Sequence, residues 1–145
     1  MAPVSGFDKL PFTQKQLHAA LREMCPLALK GYSAAVTLKM RTEWTPENPT
    51  RFTCYMVSEC IYWFCAPHGS RPMTVVMPND STLHRYVLFP DNTRVDVTCD
   101  QFGDEDIPYE FSKERMFLQT GGFGPSKRAQ VLAKLLDVYR ELHHA

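Results

Sequence analysis

The chain lacks a charge imbalance, a long apolar run and a signal peptide, and each absence excludes a class of function. Lysine plus arginine number 16 and aspartate plus glutamate also number 16, so no net field attracts nucleic acid or an anionic membrane. The longest apolar run, Cys60 to Ala66, has seven residues, whereas a membrane span needs roughly 20. Residues 1–25 lack the apolar centre of a signal peptide. We therefore expect a cytoplasmic protein that binds neither nucleic acid nor a membrane.

Cysteine usage argues against disulfides and metal. The five cysteines are an odd number at spacings that fit no disulfide framework: Cys25, Cys54, Cys60, Cys65 and Cys99. We expect free thiols in a reducing compartment. A structural zinc site needs two C-x-x-C or C-x-x-H elements, and the chain has only one, Cys65-Ala66-Pro67-His68. The sequence therefore predicts no resident metal and no cofactor.

What is present is the composition of an ordinary globular protein. The 145 residues are 44% hydrophobic and 12% aromatic, which suffices for one core. No repeat, linker or low-complexity tract divides the chain. We predict a single domain spanning residues 1–145.

Apolar residues recur at helical spacing in three segments. Thr13 is placed to cap a first helix that runs to about residue 24, where Pro26 should end it. Residues 42–53 form an extended loop, with Thr50 or Thr53 as the cap of a second helix from near Cys54 to about Cys65. Pro125 opens a last helix, whose apolar stripe is Val131, Leu132, Leu135, Leu136 and Tyr139.

Between the second and last helices the pattern becomes that of β-strands. Alternating and β-branched residues predict three short strands, at residues 73–77, 82–89 and 93–98. Pro90-Asp91-Asn92 suits a three-residue hairpin loop with Asn92 in the left-handed region. The expected fold is therefore α+β, with a cysteine-bearing helix packed on a small antiparallel sheet.

The hairpin loop sets a register that brings polar side chains together. Pairing Phe89 with Thr93 places His84 opposite Thr98 and makes Asp96 the diagonal neighbour of His84. All three side chains then share one face of the sheet. We predict that the His84 imidazole meets the Asp96 carboxylate.

A cysteine at a helix start, followed by this histidine and aspartate, is the order of a nucleophilic triad. Helix N–H groups and a neighbouring imidazolium favour the thiolate, so Cys54 is the candidate nucleophile. His84 would move the proton and Asp96 would orient the ring. The first N–H groups of the helix could stabilise an oxyanion.

Each residue also has a structural interpretation. Cys54 fits the apolar stripe of its helix, where most cysteines are buried core residues. His84 alternates with apolar strand residues, and Asp96 could accept turn or backbone hydrogen bonds. Only the combination of the three favours chemistry.

Two stretches carry a resemblance to a known family. They are Trp44-Thr45-Pro46-Glu47-Asn48-Pro49 leading to Cys54, and, after His84, Asp96-Val97-Thr98-Cys99-Asp100-Gln101-Phe102. The chain here resembles the YunG-like family, small bacterial proteins, over roughly residues 40–140. The resemblance implies a papain-like or transglutaminase-like core with a cysteine, a histidine and an acid arranged as in cysteine hydrolases. Trp44, Thr98 and Gln101 are the supporting candidates.

The chain departs from the family pattern at two places. Arg51-Phe52-Thr53 stands before the cysteine, where the family has Gly-Gln, so Gln101 or backbone groups would have to replace a side-chain oxyanion donor. Arg85-Tyr86-Val87 follows His84 in place of an aromatic residue and an asparagine.

The leading hypothesis is a cysteine hydrolase or acyl transferase acting on an amide, thioester or isopeptide bond. The substrate is open, and a protein is one candidate. The alternative is a non-catalytic binding module, an inhibitor or adaptor, on the same scaffold. A third hypothesis is a Cys/His metal site at the same residues, which predicts stoichiometric zinc in the purified protein.

Overall fold

The fold is α+β, with helices packed against one small antiparallel sheet. The computed structural model describes residues 5–29, 44–117, 124–140 and 142. In that part of the chain the helices are α1 (Gln14–Leu29), α2 (Cys54–Cys60) and α3 (Lys127–Leu135). The strands are β1 (Arg71–Val76), β2 (Leu83–Leu88), β3 (Arg94–Val95) and β4 (Lys113–Glu114). They form one antiparallel sheet in the order β3-β2-β1-β4.

The first helix begins where its sequence predicts. The Gln16 N–H donates to Thr13 Oγ1 at 3.2 Å, and the Thr13 N–H donates to Gln16 Oε1 at 2.7 Å. Each residue thus satisfies a backbone donor of the other, which is the reciprocal arrangement of a capping box.

The expected end of α1 at Pro26 is wrong, because the helix continues to Leu29 with the proline inside it. Proline removes its own N–H bond and crowds the carbonyl four residues earlier, which disturbs a single turn. Leu21 and Met24, which lie just before the proline, are buried in the core. Their packing holds the helix at the turn that Pro26 disturbs.

The second helix spans the predicted residues but changes pitch midway. After Cys60 it continues as a π-helical turn, Ile61–Cys65, that closes with the Ala66 N–H donating to the Ile61 carbonyl at 2.7 Å. Almost every side chain from Cys54 to Phe64 is buried. The preceding loop is described from residue 44 onward, so residues 42 and 43 of the predicted loop lie outside the described residues.

The hairpin has the predicted register. The Phe89 N–H donates to the Thr93 carbonyl at 2.9 Å, and Asn92 takes a left-handed φ of 68°. Val87 pairs with Val95, which continues the same register into the sheet. The third strand is shorter than the predicted residues 93–98, because the Asp96 N–H leaves the ladder and donates to the Ser5 carbonyl.

The sheet separates two apolar clusters. Val87 and Val95 belong to the main core with the helices. Met73, Val75 and Tyr86 form a smaller cluster, against which Ile107 and Tyr109 of the loop after β3 pack. Strand β4 was not predicted; its two residues pair with Met73 and Thr74 at the edge of β1. The side of the sheet away from the helices is therefore covered by the chain that follows β3.

The last helix contacts the core through two residues of the predicted stripe, Leu132 and Leu136, but not through the other three. Its N-cap is Ser126, whose hydroxyl accepts from the Ala129 N–H. Val131, Leu135 and Tyr139 of the predicted stripe are exposed. The buried side chains are Ala129, Leu132, Ala133 and Leu136. These residues recur at intervals of three and four, so they form one face of the helix. That face is rotated by about one residue relative to the predicted one.

A buried carboxylate joins α2 to the start of α3. Glu59 is fully buried, and its two oxygens accept hydrogen bonds from the Ser126 N–H at 2.9 Å and the Ser126 hydroxyl at 2.6 Å. A buried charge without such partners would be costly. The contact therefore fixes the helix that carries Cys54 against α3.

Replacing Glu59 with alanine should lower the free energy of unfolding by about 2–3 kcal/mol, because it leaves two Ser126 donors unsatisfied beside a cavity. Urea denaturation of both proteins measures the loss. Glu23, exposed on α1, is the matched control, and Glu23→Ala should change stability by less than about 0.5 kcal/mol. Equal effects of the two substitutions would contradict this role for Glu59.

Candidate active site

The loop before α2 is closed by a buried indole. Trp44 Nε1 donates to the Pro49 carbonyl at 2.8 Å, and Thr45 and Asn48 bridge through their backbones. The Trp44 ring belongs to the main core. Trp44 therefore closes the loop of residues 44–49 and does not line the cavity beside Cys54.

The backbone takes an unusual conformation just before the candidate nucleophile. Phe52 has a left-handed φ of 61°, which is unfavourable for a bulky residue and needs support from its surroundings. Its N–H donates to Gln101 Oε1 at 3.1 Å, while Gln101 Nε2 donates to the Thr98 carbonyl at 3.0 Å. Gln101 thus connects the segment after β3 to the start of α2.

Neither threonine considered as a cap of α2 bonds the helix through its side chain. Thr53 is the N-cap, but its hydroxyl donates backwards to the Thr50 carbonyl at 2.6 Å. The Thr50 hydroxyl donates to Asp100 Oδ1 at 2.7 Å. Both hydroxyls instead fix the loop that leads to Cys54.

His84 and Asp96 meet as the predicted register requires. His84 Nε2 lies 2.8 Å from both carboxylate oxygens of Asp96. The two side chains are 0% and 1% exposed. Thr98, expected opposite His84, lies beyond the end of β3; its hydroxyl is buried and has no hydrogen-bond partner among the described residues. The ladder therefore carries the histidine, the carboxylate comes directly after the last residue of β3, and the threonine lies two residues further along the chain.

A tyrosine that the sequence does not single out completes the carboxylate's environment. The Tyr109 hydroxyl donates to Asp96 Oδ2 at 2.6 Å. Burial, the charge of Asp96 and this hydrogen bond raise the pKa of Tyr109, so it stays a donor. The Arg94 guanidinium lies 3.5 Å from the centre of the Tyr109 ring. Tyr109 lies in an irregular segment, and no pattern distinguishes it from a loop residue.

The thiol of Cys54 lies near enough to the imidazole to affect its pKa. Burial lowers the pKa of His84, but the hydrogen bond to Asp96, the charge of that carboxylate and the neighbouring Cys54 sulfur raise it from 6.5 to about 9. Because Asp96 occupies Nε2, Nδ1 is the nitrogen left for the thiol. Nδ1 is buried and has no hydrogen-bond partner among the described residues. The thiol lies 3.8 Å from the Leu83 carbonyl instead. Catalytic pairs are often aligned loosely before substrate binds.

A cavity of about 350 Å³ lies over the thiol. Cys54 is 9% exposed, so it is shielded within the protein but borders this cavity. The other lining residues are Arg51, Phe52, Tyr55, Asp80, Thr82, Leu83, Gln101, Phe102 and Glu105. The ring of Phe102 also contacts His84 edge-on, with centroids 4.9 Å apart. The space admits a group of a few heavy atoms next to the sulfur.

The remaining cysteines have environments that keep them protonated. All five cysteines lie in the described part of the chain and are free thiols. Burial raises the pKa of Cys25, Cys65 and Cys99 to about 12 and raises that of Cys60 well above its usual value. Cys99 lines a different cavity together with Tyr109.

The residues that the structure describes contain no group of three or more histidine, cysteine, aspartate or glutamate side chains placed to hold a metal ion. In the same part of the chain, no helix is long and apolar enough to cross a membrane.

Comparison with known proteins finds no relative of this chain: no family model, no curated protein and no solved structure matches it.

Proposed function

We propose that the protein is a cysteine hydrolase or acyl transferase in which Cys54 is the nucleophile, His84 the general base and acid, and Asp96 the orienting residue. The observation that carries the proposal is one buried imidazole that is hydrogen-bonded to the Asp96 carboxylate and lies near enough to the Cys54 thiol for the sulfur to raise its pKa. The cavity beside the sulfur supplies room for a carbonyl group. Amide, thioester and isopeptide bonds are the candidate targets.

The reaction follows from these contacts. His84 holds the proton of the thiol as an imidazolium before substrate binds, and the Cys54 thiolate attacks the carbonyl carbon to give a tetrahedral oxyanion. The imidazolium then protonates the leaving amine or thiol, and an acyl-enzyme remains on Cys54. Water, or another nucleophile in an acyl transferase, gives a proton to His84 and releases the acyl group. Asp96 keeps the ring oriented and balances its positive charge.

The oxyanion has two sources of donors. The first N–H groups of a helix have no acceptor inside the helix, and those of α2 begin at Cys54. Gln101 lines the cavity but uses one amide hydrogen on the Thr98 carbonyl. Its second amide hydrogen is the side-chain donor that remains for the oxyanion. In this assignment, Gln101 replaces the glutamine that precedes the cysteine in the YunG-like family.

We also propose that the fold is the papain-like or transglutaminase-like core of the YunG-like family. A helix starting at the cysteine, packed on an antiparallel sheet with the histidine on a strand and the acid just beyond the next one, supports this assignment. The five free thiols support a reducing compartment, and we place the protein in the cytoplasm.

The first test is alkylation of Cys54 by iodoacetamide, followed by peptide mass spectrometry in the wild type, His84→Ala and Asp96→Asn. At about pH 6.5 the rate should fall at least about tenfold in His84→Ala, because the imidazolium that favours the thiolate is gone. Asp96→Asn should also slow the reaction, since the carboxylate holds the ring and its charge.

Cys65 in the same molecules is the internal control, because burial raises the pKa of its thiol to about 12 and it should react slowly in all three proteins. Equal Cys54 rates in wild type and His84→Ala would sink the catalytic proposal and favour the binding module. With a substrate in hand, Cys54→Ala should abolish turnover while leaving the fold nearly intact.

Protonated His84 should stabilise the fold at neutral pH. Its pKa is about 9 in the fold against 6.5 in the unfolded chain, so its contribution is fully present below pH 6.5 and is lost as pH rises through 9. The difference in unfolding free energy between wild type and His84→Gln should shrink by about 3 kcal/mol between about pH 6 and about pH 9.5. Denaturant titrations at both pH values measure it. A difference that does not change with pH would show that His84 is not charged in the fold.

Tyr109→Phe should slow the alkylation of Cys54 less than Asp96→Asn does. The substitution removes one hydrogen bond to the carboxylate but keeps the ring against Tyr86. We expect the alkylation rate of Cys54 to fall about fivefold, the value of one ordinary hydrogen bond. A rate equal to that of the wild type would mean that the hydroxyl does not help to position Asp96.

A further inference from the structure

A guanidinium is buried in the face of the sheet that packs against the helices. Arg85 directly follows His84 on β2 and is 4% exposed. Successive residues of a strand point to opposite faces. Val87, two residues after Arg85, belongs to the main core with the helices, whereas Tyr86 belongs to the smaller cluster. Arg85 and His84 therefore lie on opposite faces of the same strand.

The guanidinium of Arg85 is held by two rings and a carbonyl, and no carboxylate of the described residues forms an ion pair with it. Its centre lies 4.5 Å from the centre of the Phe117 ring and 5.2 Å from that of Tyr55. Nη2 donates to the Arg115 carbonyl at 2.8 Å, while Nε is buried and has no hydrogen-bond partner in the described part of the chain. A guanidinium keeps its charge in proteins, and a buried charge without a counter-ion is costly. The position therefore calls for an anion nearby.

Both neighbours of this guanidinium along the chain contacts lead to the Cys54 thiol. Tyr55, whose ring lies against the guanidinium, follows Cys54 in α2 and lines the same cavity. The thiol lies 3.8 Å from the carbonyl of Leu83, two residues before Arg85 on β2. Burial lowers the pKa of Arg85, and the charges of Tyr55 and Cys54 oppose that effect. Of these two groups, the thiol is the one that the proposed reaction ionises.

The other charged groups around Arg85 do not supply a closer counter-ion. The Glu59 carboxylate opposes the lowered pKa of Arg85 less than Cys54 does, and both of its oxygens accept hydrogen bonds from Ser126. Arg115 carries the same charge as Arg85, and its side chain is exposed. A thiolate on Cys54 would provide the missing negative charge.

We propose that Arg85 is a second cation of the site and that its positive charge, together with that of His84, favours the thiolate of Cys54. This role deepens the proposed function and rests on it, because Cys54 is the reacting group in both. Arg85 does not line the cavity over Cys54, so it acts on the sulfur through its charge and not by contact with substrate. A cation near a thiol lowers the pKa of that thiol and so raises the fraction of thiolate at neutral pH.

The test is the pH profile of Cys54 alkylation by iodoacetamide, measured by peptide mass spectrometry in wild type, Arg85→Met and Arg85→Lys. The midpoint of the profile reports ionisation of the thiol, and the limiting rate at high pH reports access to the sulfur. In Arg85→Met the midpoint should rise by about one pH unit, because a charge near a buried thiol is lost. In Arg85→Lys the charge is kept, so the midpoint should stay within about 0.3 pH units of wild type.

Arg128→Met is the matched control. Its guanidinium lies 5.1 Å from the centre of the same Tyr55 ring, but its side chain is half-exposed. Water and salt screen that charge, so this substitution should move the midpoint by less than about 0.3 pH units.

A midpoint that is unchanged in Arg85→Met would overturn this role of Arg85. A midpoint raised as far in Arg85→Lys as in Arg85→Met would also overturn it, because the shape of the guanidinium and not its charge would then matter. Should Arg85→Met fail to fold, Arg85→Gln takes its place, since its amide can still donate to the Arg115 carbonyl. Failure of the proposed function is a separate outcome, in which His84→Ala leaves the rate for Cys54 unchanged. A midpoint that depends on Arg85 but not on His84 would support the charge effect of Arg85 and overturn the proposed function.

Discussion

The contact between His84 and Asp96 is the constraint on which the site depends. Both side chains are withdrawn from water, and burying two ionisable groups is expensive unless their geometry and remaining hydrogen bonds are good. Here Asp96 accepts from the imidazole and from Tyr109. The carboxylate therefore holds the ring with Nε2 engaged, while Nδ1 has no partner among the described residues. A loosely held ring could not present Nδ1 to the thiol.

The stretch of residues 96–102 connects both halves of the site. Asp96 at its start binds His84, and Phe102 at its end contacts the same ring. Between them, Asp100 accepts from the Thr50 hydroxyl and Gln101 accepts from the Phe52 N–H. The contacts with His84 position the candidate base, and the contacts with Thr50 and Phe52 position the backbone that leads to the candidate nucleophile, Cys54. One short segment thus sets the geometry between two elements that are distant in sequence.

The parts of the site that could be predicted depend on residues that are close together in the sequence. The His84–Asp96 contact followed from the hairpin loop, because three loop residues fix the register and the register fixes which side chains are diagonal. Tyr109 could not be found in this way, since its place depends on how an irregular segment folds back over the sheet. The positive φ of Phe52 could not be predicted from the sequence either. It is supported by a hydrogen bond from the Phe52 N–H to Gln101, a residue distant in sequence. The extension of α1 past Pro26 likewise depends on tertiary packing, which outweighs a local signal.

The difference between Cys54 and the other thiols is one of surroundings. Burial opposes charge, so it raises the pKa of Cys25, Cys60, Cys65 and Cys99 and makes them poor nucleophiles. The same burial would lower the pKa of His84, yet the nearby carboxylate and thiol reverse it. The raised pKa keeps the imidazole protonated at neutral pH inside the protein, near the Cys54 sulfur. The proposed activation of Cys54 therefore depends on the charge that the His84–Asp96 pair places beside the thiol.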